Sequence, residues 1–260
     1  MIELIVADAQ TYQPAQPVDL VIADPPYNYG QAYAGYADRL SRDEYLAFSR
    51  RWLAQVTASL QPQGALWLVV PDEWVSELDL MARQDFAYTK QNHVVWYYTF
   101  GQAQQRKFSR SHTHLLWLTR HPQEYTFCPE AIRVPSARQA VYGDRRAKPV
   151  GKLPDDVWVL HRQQLEPLFG PDADTWLCSR VCGTFHERWA VSPNQLPLAL
   201  VQRMIAACSR PGDWLYDPFC GTGTTAVAAH RLGRRCIGVD VASACIEAAR
   251  ARLAEEGVRW

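Results

Sequence analysis

The hydrophobic pattern of the chain is short-ranged and heavily punctuated, and it predicts alternating strands and helices. The apolar run at 18–23 (VDLVIA) is stopped by Asp24-Pro25-Pro26, so it reads as a buried strand ended by proline. Ser41-Arg42-Asp43-Glu44 has the spacing of a capping box. After it, Tyr45, Phe48, Trp52, Val56 and Leu60 recur every three or four residues, the signature of an amphipathic helix. Pro62-Gln63-Gly64 ends that helix, 65–70 (ALWLVV) is a second buried strand, and 72–81 is a short helix. Residues 94–98 and 115–119 supply two further strands. From about 126 to 191 the pattern dissolves into prolines, charges and isolated tryptophans, which predicts functional loop or a small insertion. Order returns at Pro197, placed for a first helical turn, with Leu200, Val201, Met204, Ile205 and Cys208 on one helical face. A strand at 213–217, a helix at 224–232 closed by Gly233, a strand at 236–240 and a helix at 243–256 complete a β-α-β-α unit. Strands alternating with helices point to an α/β sheet.

Composition bounds the picture. At 260 residues the chain fits one large domain or two small ones, and 48% hydrophobic content excludes global disorder. No apolar run approaches a membrane span, and the start, MIELIVADAQ, has no basic leader region; the expectation is a soluble, unexported protein with no membrane partner. Seven cysteines, an odd number without Cys-x-x-Cys pairs, argue against a disulfide framework and for a reducing compartment, and a cytoplasmic location is the expectation. Net charge is zero, but its distribution is uneven. Residues 86–152 hold 11 Lys and Arg against Glu124, Glu130 and Asp144, a window of +8 beside a remainder of −8. That asymmetry favours a surface facing a polyanion, with a plain solvated face as the alternative.

Two motifs carry chemistry. Asp217-Pro218-Phe219-Cys220-Gly221-Thr222-Gly223-Thr224-Thr225 lies at a predicted strand-to-helix junction, where glycines let the backbone approach a ligand and the helix offers free N–H groups. Asp240 ends the next strand, 19 residues beyond Gly221, where an acid can accept both hydroxyls of a ribose. Asp24-Pro25-Pro26-Tyr27 places an acid and an aromatic ring at the carboxyl end of a buried strand, where α/β proteins bind ligands; Pro-Pro is also a routine strand-stopping turn.

Together these residues resemble the S-adenosylmethionine-dependent DNA amino-methyltransferases in which the catalytic motif precedes the cofactor motif. Asp24-Pro25-Pro26-Tyr27 matches the catalytic motif and Asp217 to Thr224 matches Asp-Pro-Phe-x-Gly-x-Gly-Thr, 193 residues on. Ile5-Val6-Ala7-Asp8, Val18-Asp19-Leu20 and Ser192-Pro193-Asn194-Gln195-Leu196-Pro197 fit further family segments, although Ser192 and Leu196 stand where His and Lys are usual. The resemblance implies a Rossmann-like, mostly parallel sheet with helices on both faces. It implies a catalytic half at 1–125, a target-recognition insertion at 126–185 and a cofactor-binding half at 186–260. Asp24 and the Pro25 carbonyl would take the hydrogens of an exocyclic amino group, and Tyr27 would stack on a base flipped out of double-stranded DNA, with Pro26 completing the motif. Asp8, Ala9, Asp24, Asn194, Gln195, Asp217, Phe219, Cys220, Gly221, Thr222, Gly223, Thr224, Thr225 and Asp240 would hold the cofactor. Arg106, Lys107, Arg110, His112, Arg133, Arg138, Arg145 and Arg146 would face DNA. His112 and His114 read either as phosphate contacts or as a polar loop between strands.

A homodimer and a companion restriction endonuclease are further expectations of the resemblance. Adenine N6 is favoured over cytosine N4 by Asp at the first motif position. RNA or protein amino groups are more often served by an Asn-Pro-Pro-Tyr motif following the cofactor loop. A non-catalytic DNA-binding relative has no need of an intact Asp24 and Tyr27. A nicotinamide-dependent oxidoreductase could use the glycine loop and Asp240 but needs neither Asp-Pro-Pro-Tyr nor the basic window. Cys178, Cys182 and His186, at spacings of four, lack a fourth ligand, and no metal is expected. Cys220 reads as a small loop residue, since amino methylation needs no cysteine nucleophile.

Overall fold

The computed structural model describes residues 1–33, 35–102, 105–106, 108–134, 136, 143–146, 150–158, 181, 188–189, 191 and 194–259. In chain order its strands are β1 (Ile2–Val6), β2 (Val18–Ala23), a small hairpin β3 (Ala32–Tyr33) and β4 (Tyr36–Ala37), β5 (Leu60–Val70), β6 (Thr89–Gln102), β7 (Arg110–Thr119), β8 (Val157–Trp158), β9 (Trp214–Asp217) and β10 (Arg235–Asp240). The helices are α1 (Arg42–Ser59), α2 (Val75–Asp85), α3 (Leu198–Cys208), α4 (Thr224–Arg231) and α5 (Ser243–Glu255).

Eight strands form one sheet in the order β1-β10-β9-β2-β5-β7-β6-β8. The first five pair in parallel, β7 lies antiparallel to both neighbours, and β8 joins β6 in parallel. Side chains alternate across the sheet. On β2, Leu20 and Ile22 enter the core under α3, α4 and α5, while Val21 and Ala23 enter the core under α1 and α2. That two-sided burial is why the parallel strands read as unbroken apolar runs rather than as alternating ones.

Local signals held where they were chemical. Ser41 caps α1 with its hydroxyl on the Glu44 N–H, and the Glu44 carboxylate returns to the Ser41 N–H, completing the capping box. All five residues of the α3 stripe are buried. Boundaries moved where tertiary pairing ruled. Strand β5 starts at Leu60, directly after α1, and a register shift against β2 between Val18 and Leu20 absorbs Pro62-Gln63-Gly64. Helix α2 begins at Val75 rather than 72, because the Pro71 carbonyl first turns the chain through the Trp74 and Val75 N–H groups, each at 3.1 Å. His112 and His114 lie in β7 and not in a loop; cross-strand pairing with Tyr97 and Val70 makes this polar stretch a strand. Within the expected insertion, β8 is the outermost strand of the main sheet among the described residues, and Trp158 is buried beside Trp67, ring centroids 6.2 Å apart.

Pairing of Leu20 with Leu215 and Val21 with Tyr216 joins the two ends of the chain. The Asp19 carboxylate accepts the Trp214 N–H at 2.8 Å and fixes that seam. Asp24, Asp217 and Asp240 therefore stand at the carboxyl ends of three adjacent strands.

Candidate active site

The Asp24-Pro25-Pro26-Tyr27 turn is braced from two helices. Tyr45 of α1 donates its hydroxyl to the Pro26 carbonyl at 2.8 Å, and the Trp74 indole N–H at the start of α2 donates to the Tyr27 carbonyl at 2.9 Å. The Tyr27 hydroxyl donates to Asp24 Oδ1 at 2.7 Å. Burial pushes the Asp24 carboxyl up to about 7, and the Tyr27 hydroxyl pulls it back only in part. Downstream, the buried Asp38 carboxylate accepts the backbone N–H groups of Asn28 (2.7 Å), Tyr29 (3.0 Å) and Gln31 (2.8 Å). Asn28, at φ 59°, exchanges two hydrogen bonds with the Leu40 backbone. These buttresses were missed in the sequence. Tyr45 reads as part of the apolar stripe of α1, Trp74 falls unmarked within the helix expected at 72–81, and Asp38 bears no motif.

The glycine loop sits on the adjoining strand ends. Asp240 accepts the Gly221 N–H and the Ala242 N–H, both at 2.9 Å, one on each oxygen. Asp217 is buried, accepts the Phe219 N–H at 3.0 Å, and burial raises it to about 7. A cavity of about 200 Å³ opens here, lined by Asp8, Ala9, Asp24, Asn194, Gln195, Asp217, Phe219, Cys220, Gly221, Thr222, Thr224, Thr225 and Asp240, among others. Gly223 alone of the expected cofactor residues does not line it. At φ +78° it heads α4, and a Cβ there would meet the Ala249 Cβ at 2.8 Å, so it is glycine for helix packing. Asn194 reaches the cavity through a 3.0 Å bond to the Tyr33 hydroxyl, and Gln195 accepts from the Thr222 hydroxyl at 3.3 Å. Ser192 and Pro193 lie outside the described residues.

A second cavity, about 70 Å³, shares Asp24, Tyr27, Asn194, Gln195 and Leu196 with the first. Its other walls include Tyr29, Trp96, Tyr98, Arg110 and His112. Arg110 is engaged rather than free: it bonds Glu73 and the Tyr29 hydroxyl and lies 3.5 Å from Asp72. Asp72 Oδ1 also meets His114 Nε2 at 2.6 Å and His112 Nε2 at 2.9 Å, and His93 continues the chain to His114 Nδ1 at 2.7 Å. Of the other basic residues expected at DNA, Arg106, Arg145 and Arg146 are exposed. Arg133 pairs with Glu130 and Arg146 with Asp144. Lys107 and Arg138 lie outside the described residues, as do Cys178, Cys182 and His186.

The first cavity suits S-adenosylmethionine. An acid at the end of β10 faces a glycine loop, as a ribose requires, and the buried carboxyls of Asp24 and Asp217 share the cavity wall. The buried Tyr36 hydroxyl on the cavity wall has no partner among the described residues, a polar group left for a ligand.

Comparison with known proteins agrees. The family model described as DNA methylase matches residues 18–251. The type II methyltransferase M.HpaI of Haemophilus parainfluenzae is 32% identical over 92% of this chain and 69% of its own length. The DNA adenine methyltransferase YhdJ of Escherichia coli is 29% identical over 92% of this chain and 77% of its own. In structure the chain resembles an M1.HpyAVI–SAM complex (TM-score 0.66, 20% identity, 97% and 99% covered) and the cytosine-N4-specific PvuII DNA methyltransferase (TM-score 0.70, 13% identity, 99% and 88% covered). A matched motif pair, a strand seam that unites it and a cofactor cavity beside it thus converge, and the chain belongs to the DNA methylase family, the S-adenosylmethionine-dependent methyltransferases of adenine N6 and cytosine N4.

Proposed function

We propose that this enzyme methylates adenine N6 in a specific sequence of double-stranded DNA, and that Asp24 is its catalytic acceptor. The observation that carries the assignment is that Asp24 lines both cavities, the one that suits the cofactor and a second walled by Tyr27, Trp96 and Tyr98. An exocyclic amino group is a poor nucleophile because its lone pair is delocalised into the ring. Asp24, ionised, accepts one amino hydrogen, and the Pro25 carbonyl accepts the other, which favours a tetrahedral nitrogen with a free lone pair. Tyr45 and Trp74 hold the neighbouring carbonyls, so the turn is preorganised before the base arrives. S-adenosylmethionine, when bound, supplies the electrophilic methyl group. Tyr27, Trp96 and Tyr98 give the base aromatic walls, and the base leaves the duplex because its amino nitrogen is otherwise paired.

Adenine is supported by Asp at the first motif position and by the likeness to the E. coli DNA adenine methyltransferase. The type II names of the relatives support a companion endonuclease of the same specificity. The basic window, with Arg145 and Arg146 exposed, is the side a duplex approaches. The test is mass spectrometry of nucleosides from DNA methylated by the purified enzyme. N6-methyldeoxyadenosine is expected; N4-methyldeoxycytidine in its place would reverse the choice of base. Modified-base sequencing of the same DNA reads out the site.

A further inference from the structure

Strand β7 pairs antiparallel with β5, and His114 lies opposite Val70, the last residue of β5. The chain preceding Arg110 therefore extends past the carboxyl edge of the sheet, on the side of both cavities. Gln102 pairs with Arg110 and closes a hairpin there. Phe108, at this hairpin turn, is 100% exposed, and it is the only aromatic among the large exposed hydrophobic side chains of the described residues. Isolated exposed aliphatic residues are ordinary on a protein surface. A fully exposed aromatic ring is different when the exposed Arg106 lies two residues before it and Arg110, held by Glu73 and Tyr29, lines the base cavity two residues after it. Cations beside a bare ring match the chemistry of nucleic acid: phosphates outside and stacked bases within.

We propose that Phe108 is a wedge that enters the base stack of the DNA and occupies the gap left by the target base, an inference that rests on the base-flipping reading above. An apolar wedge between base steps replaces stacking lost when a nucleotide is extruded. Phe108 acts through the DNA and touches neither cofactor nor reacting atoms, so it is a positioning residue.

The experiment compares wild type, F108A and F108W on two duplexes that carry the methylated site. One is fully paired, and the other has an abasic residue opposite the target base. The paired duplex demands that pairing and stacking be broken; the abasic one makes extrusion easy. Single-turnover methylation by F108A should fall about tenfold or more on the paired duplex. On the abasic duplex it should return to within about threefold of wild type, and F108W should retain most activity on both. Thermal melting and cofactor affinity of F108A should match wild type, since the exposed ring supports no core. An F108A as fast as wild type on the paired duplex would overturn the wedge, as would equal slowing on both duplexes. Wild type inactive on either duplex would instead sink the base-flipping reading and this proposal with it.

Discussion

Asp24 is held in a conflict that its chemistry resolves. Its burial favours the protonated acid, while accepting an amino hydrogen requires the carboxylate. With Asp24 and Asp217 both raised to about 7 in the free protein, the folded state holds protons that the unfolded chain releases near pH 4. These two groups therefore make the free protein less stable as pH rises from about 4 to about 7, because the native state binds more protons there. A sulfonium cation reverses the balance. Cofactor affinity should rise between about pH 6 and about pH 8, and the gain in melting temperature on adding S-adenosylmethionine should be larger at the higher pH. S-adenosylhomocysteine, whose sulfur is neutral, should show much less of this trend; equal trends would remove the carboxylates as its source. Asp24→Ala should abolish methyl transfer while S-adenosylhomocysteine, which carries no charge on sulfur, still binds largely as it does to wild type, and near-normal turnover would end the catalytic assignment. With Asp240 proposed as the acceptor for the ribose hydroxyls, Asp240→Ala should weaken cofactor binding by roughly 1.5–3 kcal/mol in calorimetry, and unchanged affinity would take Asp240 out of the site.

The loop after the catalytic turn is an element built on one carboxylate. Asp38 gathers three backbone N–H groups, and the Gly30 N–H bonds its carbonyl at 2.6 Å. Asp38→Ala would strand those donors at about 1–3 kcal/mol each if water does not reach them. The expected result is a lower melting temperature and faster hydrogen exchange confined to 28–31, together with a fall in kcat from a displaced Tyr27. Unchanged exchange in that segment would show that the loop is held by other contacts. Asp38 stands ten positions after Asn28, with no periodicity to link them, so nothing in the local pattern announces the arrangement. The capping box on α1 is the opposite case. Its two bonds span three residues, and the local sequence suffices to specify them.

At the scale of the whole molecule, the proposed approach of DNA through the basic window rests on charge and topology. The +8 window spans β6, β7 and the chain that follows, and β7 ends its polar stretch at the carboxyl edge beside Asp24. Each phosphate contact releases counterions and contributes a log–log salt slope of about −0.9. Arg145→Ala combined with Arg146→Ala should flatten that slope and weaken DNA binding with cofactor affinity unchanged. An altered site preference would mark base reading rather than phosphate contact. An unchanged slope and preference would leave the window as a solvated face, with Arg146 serving Asp144.

Element types, the two motifs and the family were legible in the chain because each rests on short-range chemistry: apolar period, capping, proline stops, and glycines at a strand-to-helix junction. Boundaries and partners were not. That β5 begins at Leu60, that His112 and His114 are strand residues, and that Trp158 belongs to the main sheet all follow from pairing between distant segments. The motif pair shows the division most plainly. Asp24 and Asp217 each declare a role locally, yet they stand 193 positions apart, and only the pairing of β2 with β9 makes them walls of one cavity. Hydrogen bonds between strands carry no trace in either segment alone, so the fold had to supply the site that the sequence could only name in halves.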